Sequence, residues 1–286
     1  MLSDEDEAPP PHWRLCLLLD RAEEAAELQE LVEGLPKSPS RFAVVLMSGS
    51  DDDDVVRFVD RVRQLDGQAW LHGLDLEDWL EDEDVEPQVQ ISPPRHRMLE
   101  PQVVPPAKRA GLLTRWARNE FGTKFSDDAA VLRQLAEEPR FFVISMMEER
   151  SAKPRGDLET HLGRLRADIA SSAFDRGRCP GVLLFVWVQA TGKQNADIER
   201  MSKMKALFAD GRIACINAFS KVQPPHLEAW WPRVAKARRY FNSAFRPEPL
   251  LYRLKEDMFE KDVEVPMRRA VSTVIRCLDD YVDGAR

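Results

Sequence analysis

The sequence predicts a three-layer α/β protein on a mostly parallel sheet, with further helices towards the C-terminus. Two observations predict it. Short runs at 41–47, 141–147 and 181–190, and a strand with its exit loop over 212–222, are dominated by consecutive rather than alternating apolar residues, the pattern of strands buried on both faces. Between them lie segments with apolar residues at three- and four-residue spacing, which read as amphipathic helices. Alternation of the two places helices on both sides of the sheet, and four or five strands are expected. The composition agrees: of 286 residues 43% are hydrophobic and 31% charged, which suits a packed core rather than disorder. No run reaches the roughly 18 uninterrupted apolar residues of a membrane-spanning helix.

Residues 1–11 are acidic and Pro-rich. They read as a disordered tail, and they lack the basic start and apolar core of a secretory signal. Residues 12–40 form an N-terminal helical segment, with Leu18, Ala22, Ala25, Leu28, Leu31 and Val32 at helical spacing and a stop at Gly34 and Pro36. An α/β core is expected over 41–246. It opens with the strand RFAVVLM, the loop SGSDDDD and a helix over 55–67 that ends at Gly67. QAWLHGL, 68–74, reads as a short strand, and LEDWLEDEDVEP as an exposed acidic stretch. Six prolines between 86 and 106 mark an extended connector.

Helices are expected over 107–121 and over 126–138, the latter capped by Ser126. The strand FFVISMM follows, then a loop, a helix over 157–175, the strand GVLLFVWVQA and a helix over 194–209. RIACINAFSKV supplies the last strand, and a helix opens near His226. Residues 247–286 read as a C-terminal helical segment in two pieces.

Charge is uneven. Residues 1–90 hold 7 basic against 24 acidic side chains, a net of −17, while the whole chain carries −8. An acidic third and a basic remainder can attract each other or steer different partners. The acidic part repels phosphate backbones, so nucleic acid is not an expected partner. Cys16, Cys179, Cys215 and Cys277 are scattered, with no C-x-x-C, and read as small buried hydrophobes in a reducing, cytoplasmic setting. The histidines are as scattered, so no zinc site is expected. His161 beside Glu159 reads as a surface histidine, because no nucleophile is tied to it. There is no G-x-S-x-G elbow and no G-x-G-x-x-G fingerprint.

The first central strand runs into a loop at the place where phosphate-binding NTPases carry G-x-x-x-x-G-K-[ST]. Here the loop is Ser48-Gly49-Ser50-Asp51-Asp52-Asp53-Asp54, with one Gly, no Lys and four carboxylates. A like-charge contact at about 4 Å costs about 4 kcal/mol at an effective dielectric of about 20, so this loop is not expected to hold a triphosphate. Asp51 to Asp54 read either as a cation or basic-partner site or as favourable charge at the N-terminus of the next helix, and the second is preferred. Thr191-Gly192-Lys193, after a later strand, reads as a surface turn. Glu148 and Glu149 come nearest to a strand-ending metal-binding acid pair and read as a solvated helix or loop start.

Four places carry a family resemblance: RFAVVLMSGS with DDDDVVRFVDRVRQL; EPRFFVISMM before HLGRLRADIASSAF; CPGVLLFVWVQA; and RIACINAFSKVQPPHLEAWWPRV. Over roughly 40–240 their order resembles the inactive STAND domains. These are bacterial relatives of the signal-transduction ATPases with numerous domains that have lost the nucleotide-binding motifs. The resemblance implies a P-loop-like core used for interaction in a bacterial conflict or antiviral defence system, with a protein partner such as an effector or protease of the same operon. It transfers no catalytic, cofactor or metal-binding residue. An interaction stripe is expected at Trp230, Trp231, Lys236, Arg238, Arg239 and Tyr240, because interfaces favour Trp, Tyr and Arg; packing of the tryptophans into the core is the competing reading. The expected role is a non-enzymatic regulatory adaptor without cofactor. The alternatives are a regulatory partner or cleavage target of a protease, and an atypical nucleotide- or metal-dependent enzyme using Asp51 to Asp54 or Lys193.

Overall fold

The computed structural model describes residues 16–19, 21–38, 40–50, 53–81, 91, 102–106, 111–148, 157–171, 174–189, 194–208, 213–216, 219, 221–236, 248–259 and 264–284. Along the chain the elements are α1 (Ala22–Gly34), β1 (Phe42–Gly49), α2 (Val55–Arg61), α3 (Gly67–Leu71), α4 (Leu76–Glu81), β2 (Gln102–Val103), α5 (Thr114–Phe121), α6 (Asp128–Glu137), β3 (Phe142–Glu148), α7 (Asp157–Ser171), β4 (Val182–Gln189), α8 (Gln194–Ala206), β5 (Ile213–Ile216), α9 (Pro224–Lys236), α10 (Glu248–Phe259) and α11 (Met267–Gly284). The expected tail at 1–11 lies outside the described residues. The chain divides into two compact units, neither of them contiguous: Met1–Ala25, Ser50–Glu86 and Phe219–Arg286 form one, and Ala26–Gly49 with Pro87–Ala218 form the other.

The sheet unit holds five strands in the order β2-β3-β4-β1-β5, every pairing parallel. The apolar runs at 41–47, 141–147 and 181–190 become its three central strands. Phe42, Val44 and Leu46 of β1 join Phe142, Ile144 and Met146 of β3 and Val182, Leu184 and Val186 of β4 in one core with α5, α6, α7 and α8. Residues of the opposite parity, Ala43, Val45, Met47, Leu183 and Phe185, are buried too. Both faces being dry is why these strands read as unbroken apolar runs.

Several expectations fail in this unit. The proline-rich connector supplies a strand: Gln102 and Val103 pair with Met146 and Met147. The cap of α6 is Asp127, which accepts from the Ala130 amide at 2.8 Å, while Ser126 donates to Asp127. His161 is buried, at 1% exposure, and its Nε2 lies 2.9 Å from the Pro105 carbonyl oxygen. At the start of α5, Asp128 accepts from the Leu112 and Leu113 amides at 2.7 and 2.8 Å. Gly111 is required there, because a Cβ would stand 2.1 Å from the Asp128 Oδ1.

The helical unit has its own core. Leu18 and Leu19, Trp79 and Leu80, Trp230 and Val234, and Val271, Val274 and Leu278 meet in one cluster. Burying each such side chain stabilises by about 1.5–3 kcal/mol. The expected strand at 68–74 is not formed. The helix from Val55 does not stop at Gly67 but passes through a π-helical turn, Val62–Asp66, into α3. A buried ion pair spans this turn: Arg61 Nε lies 2.6 Å from Asp66 Oδ2, and Arg61 also donates to the Leu19 carbonyl at 2.7 Å. The acidic stretch after it is not wholly exposed, since Leu76, Trp79 and Leu80 of α4 are buried. An antiparallel bridge joins Val222 to Val265.

Candidate functional site

The loop after β1 stands where a phosphate loop would. Its described residues belong to the helical unit. Asp53 Oδ2 accepts from the Ser50 amide at 2.6 Å and from the Ser50 hydroxyl at 3.0 Å. The Asp53 amide donates to the Ser50 carbonyl at 3.1 Å, closing a tight turn. Arg21 donates to the Asp53 carbonyl, pairs with Glu24 at 3.2 Å and lies 4.9 Å from the Phe219 ring centroid. Asp54, the residue before α2, adopts a left-handed conformation with φ 50°. Its carboxylate pairs with Arg57 at 2.6 Å. Burial raises the Asp54 pKa above the usual carboxylate range, opposed by Arg57, Arg21 and Arg268.

The two described acids of this loop, Asp53 and Asp54, are therefore engaged locally. A phosphate loop turns free backbone amides and a Lys towards the phosphates. Here the Ser50 amide holds the loop's own carboxylate, and the position has no lysine. Asp51, Asp52 and Lys193 lie outside the described residues. Among the described residues no group of three His, Cys, Asp or Glu side chains could hold a metal ion.

In the sheet unit the carboxyl ends of the strands carry a second cluster, the edge where open parallel sheets bind ligands. Trp187 of β4 donates through Nε1 to the Gly49 carbonyl at 3.2 Å. Glu148 is not in a solvated loop, as expected from the sequence, but is the last residue of β3. Arg200 of α8 bridges it at 2.5 Å to Glu159 of α7 at 2.8 Å. Burial works against the Arg200 charge, but both carboxylates together raise its pKa. Burial also opposes the Glu159 charge, yet its bond to Arg200 leaves its pKa below the usual range. Sequence reasoning missed this arrangement because its three members are on three elements, with no spacing to connect them. Burial pushes the Cys16 and Cys179 thiols up to about 12 and the Cys277 thiol up to about 11, and raises that of Cys215.

The expected interaction stripe is divided. Trp230 is fully buried in the helical core, and Trp231 packs partly buried against it. Lys236 pairs with Glu81, and Arg233 with Glu77 at 2.8 Å. Arg238, Arg239 and Tyr240 lie outside the described residues. Trp230 is thus a packing residue. No described helix is long and apolar enough to cross a membrane.

No family model matches the sequence, and no curated protein matches it. Among solved structures the chain is similar to the Aeropyrum pernix ORC2 protein (ADPNP-ADP complexes) at 15% identity, with a TM-score of 0.47, over 98% of this chain and 66% of that one. The fold assignment rests on the sheet described above rather than on that likeness. With five parallel strands in the order β2-β3-β4-β1-β5 and flanking helices, the chain has an α/β fold built on a parallel sheet.

Proposed function

We propose that this protein is a non-enzymatic interaction scaffold, an NTPase-like fold that works as a regulatory adaptor without binding nucleotide. One observation carries the reading: the Ser50 amide and hydroxyl are occupied by Asp53 of the same loop. A phosphate entering there would have to displace this carboxylate, with Asp54 beside it and no lysine to replace the lost interaction. Two of the neighbouring arginines are already engaged, Arg21 with Glu24 and the Asp53 carbonyl and Arg57 with Asp54. The proposed setting, a bacterial conflict or antiviral defence system with a protein partner such as an effector or protease, follows from the resemblance of the four segments to inactive STAND domains.

Thermal unfolding with and without magnesium and ATP tests this. A ligand at about 50 times its Kd stabilises by about 2 kcal/mol, which moves the midpoint by several degrees in a chain of this size. No shift is expected at about 5 mM ATP, a concentration that would reveal a Kd of about 100 μM. A magnesium-dependent shift of that size, or turnover by the purified chain, would end the scaffold reading.

A further inference from the structure

The sheet unit carries a groove of about 560 Å³ that belongs to none of the sites above. Three consecutive residues of β5, Ile213, Ala214 and Cys215, line it. Neighbouring residues of a strand point to opposite faces of a sheet, and Ile213 and Cys215 pack towards the core shared with α8. A groove touched by all three therefore runs along the rim of the sheet rather than across either face. β5 is the outermost strand, paired with β1 on one side. Among the described residues no strand pairs with its other side, and an edge of that kind templates another strand. Above the rim stands α1, which turns Glu27, Glu30 and Leu31 into the groove and reaches it last at Gly34, with Lys205 of α8 as a further lining residue.

We propose that this groove is a docking site for an extended, basic segment of a partner protein, which adds to β5 as a sixth strand. Strand addition draws its affinity from main-chain hydrogen bonds and its selectivity from side-chain pockets. The charge on the α1 side selects the occupant: Glu27 and Glu30 are exposed there and outnumber Lys205, the exposed cation of the α8 side, so that Lys or Arg is favoured where the added strand passes α1. The same charge disfavours a second copy of this chain, because β5 against β5 would bring two pairs of α1 glutamates together. The proposal deepens the scaffold reading and rests on it, by naming where a partner engages.

The test titrates the full chain with a dye-labelled peptide of alternating Lys and Val, seven residues long, and reads anisotropy together with the amide resonances of residues 213–216. Saturable binding that shifts those resonances and weakens with salt is expected. A peptide with Glu in place of Lys should bind roughly tenfold more weakly, and so should one N-methylated at alternate amides. Gly34→Arg should plug the groove and remove most of the binding. This substitution is compatible with folding, because a Cβ at Gly34 meets nothing within 4 Å. The paired change Glu27→Lys with Glu30→Lys should reverse the preference from the Lys to the Glu peptide.

Binding indifferent to Gly34→Arg, resonance shifts elsewhere only, no binding, or a dimer of the chain that Gly34→Arg dissolves would each overturn the proposal. The two readings fail separately. Loss of the peptide signal without nucleotide binding removes the groove and leaves the scaffold. Nucleotide binding with the peptide signal intact does the reverse.

Discussion

Asp60 sits on α2 at 5% exposure. Burial raises its pKa to about 6, against the pull of Arg63 and Arg57 and with Asp54 adding to the rise. A carboxyl whose pKa rises on folding stabilises the folded state while it is protonated. That contribution is complete below about 4, its unfolded value, and is lost as the pH climbs through about 6. Ionised Asp60 thus costs on the order of 3 kcal/mol at neutral pH. Asp60→Asn should stabilise the chain by up to that amount in urea unfolding at pH 7.5, with the gain nearly gone at pH 4. An equal gain at both values would show that ionisation is not the cause. At this scale the sequence is least informative. Glu148, Glu159 and Arg200 are ordinary charged residues until three elements bring them together. His161 reads as a surface group because nothing local marks the Pro105 carbonyl as its partner. Ser126 and Asp127 are adjacent residues that both suit a cap, and only the bond from the Ala130 amide identifies Asp127 as the one that serves.

At the scale of elements, legibility follows the source of the signal. β1, β3 and β4 are plain in the sequence because burial on both faces leaves unbroken apolar runs. β2 is hidden because two residues cannot show a period, and the prolines around it argue for a connector. The segment 68–74 misleads because Gly67 looks like a helix stop, whereas the chain there keeps a helical conformation through the π-helical turn. In α9 adjacent tryptophans have different surroundings. Trp230 is among the largest fully buried side chains, while Trp231 is partly exposed. Trp230→Ala should therefore cost about 3–5 kcal/mol and Trp231→Ala distinctly less, as measured by chemical denaturation. Equal costs would contradict the placement of Trp230 at the centre of the helical core.

For the whole molecule, the alternation of strand and helix was enough to predict a parallel sheet, but not the division into units. Composition and periodicity are read along the chain, whereas the helical unit gathers three separate stretches around Leu18, Trp79, Trp230 and Val271. The acidity of the loop after β1 was legible in the sequence; that Asp53 turns back onto Ser50 was not, since it depends on the geometry of the turn. A chain ended after residue 218 should keep the cooperative core of the sheet unit while Trp79 loses Trp230 and the α11 side chains as neighbours. Amides of α4 should then exchange at rates near those of an unfolded chain, and those of β4 should stay protected. Protection of α4 in that truncated chain would refute the division.

The three-stretch construction also has a consequence for biosynthesis. Trp79 leaves the ribosome about 150 residues ahead of Trp230, which at roughly 5–20 residues per second is an interval of about 8–30 s. During that time Leu18, Leu19 and Trp79 have no completed core to enter, while β1, β3 and β4 have all emerged. Nascent chains of this protein thus present an apolar surface from their first third until synthesis is nearly finished, and this is the stage at which chaperone capture should be most frequent.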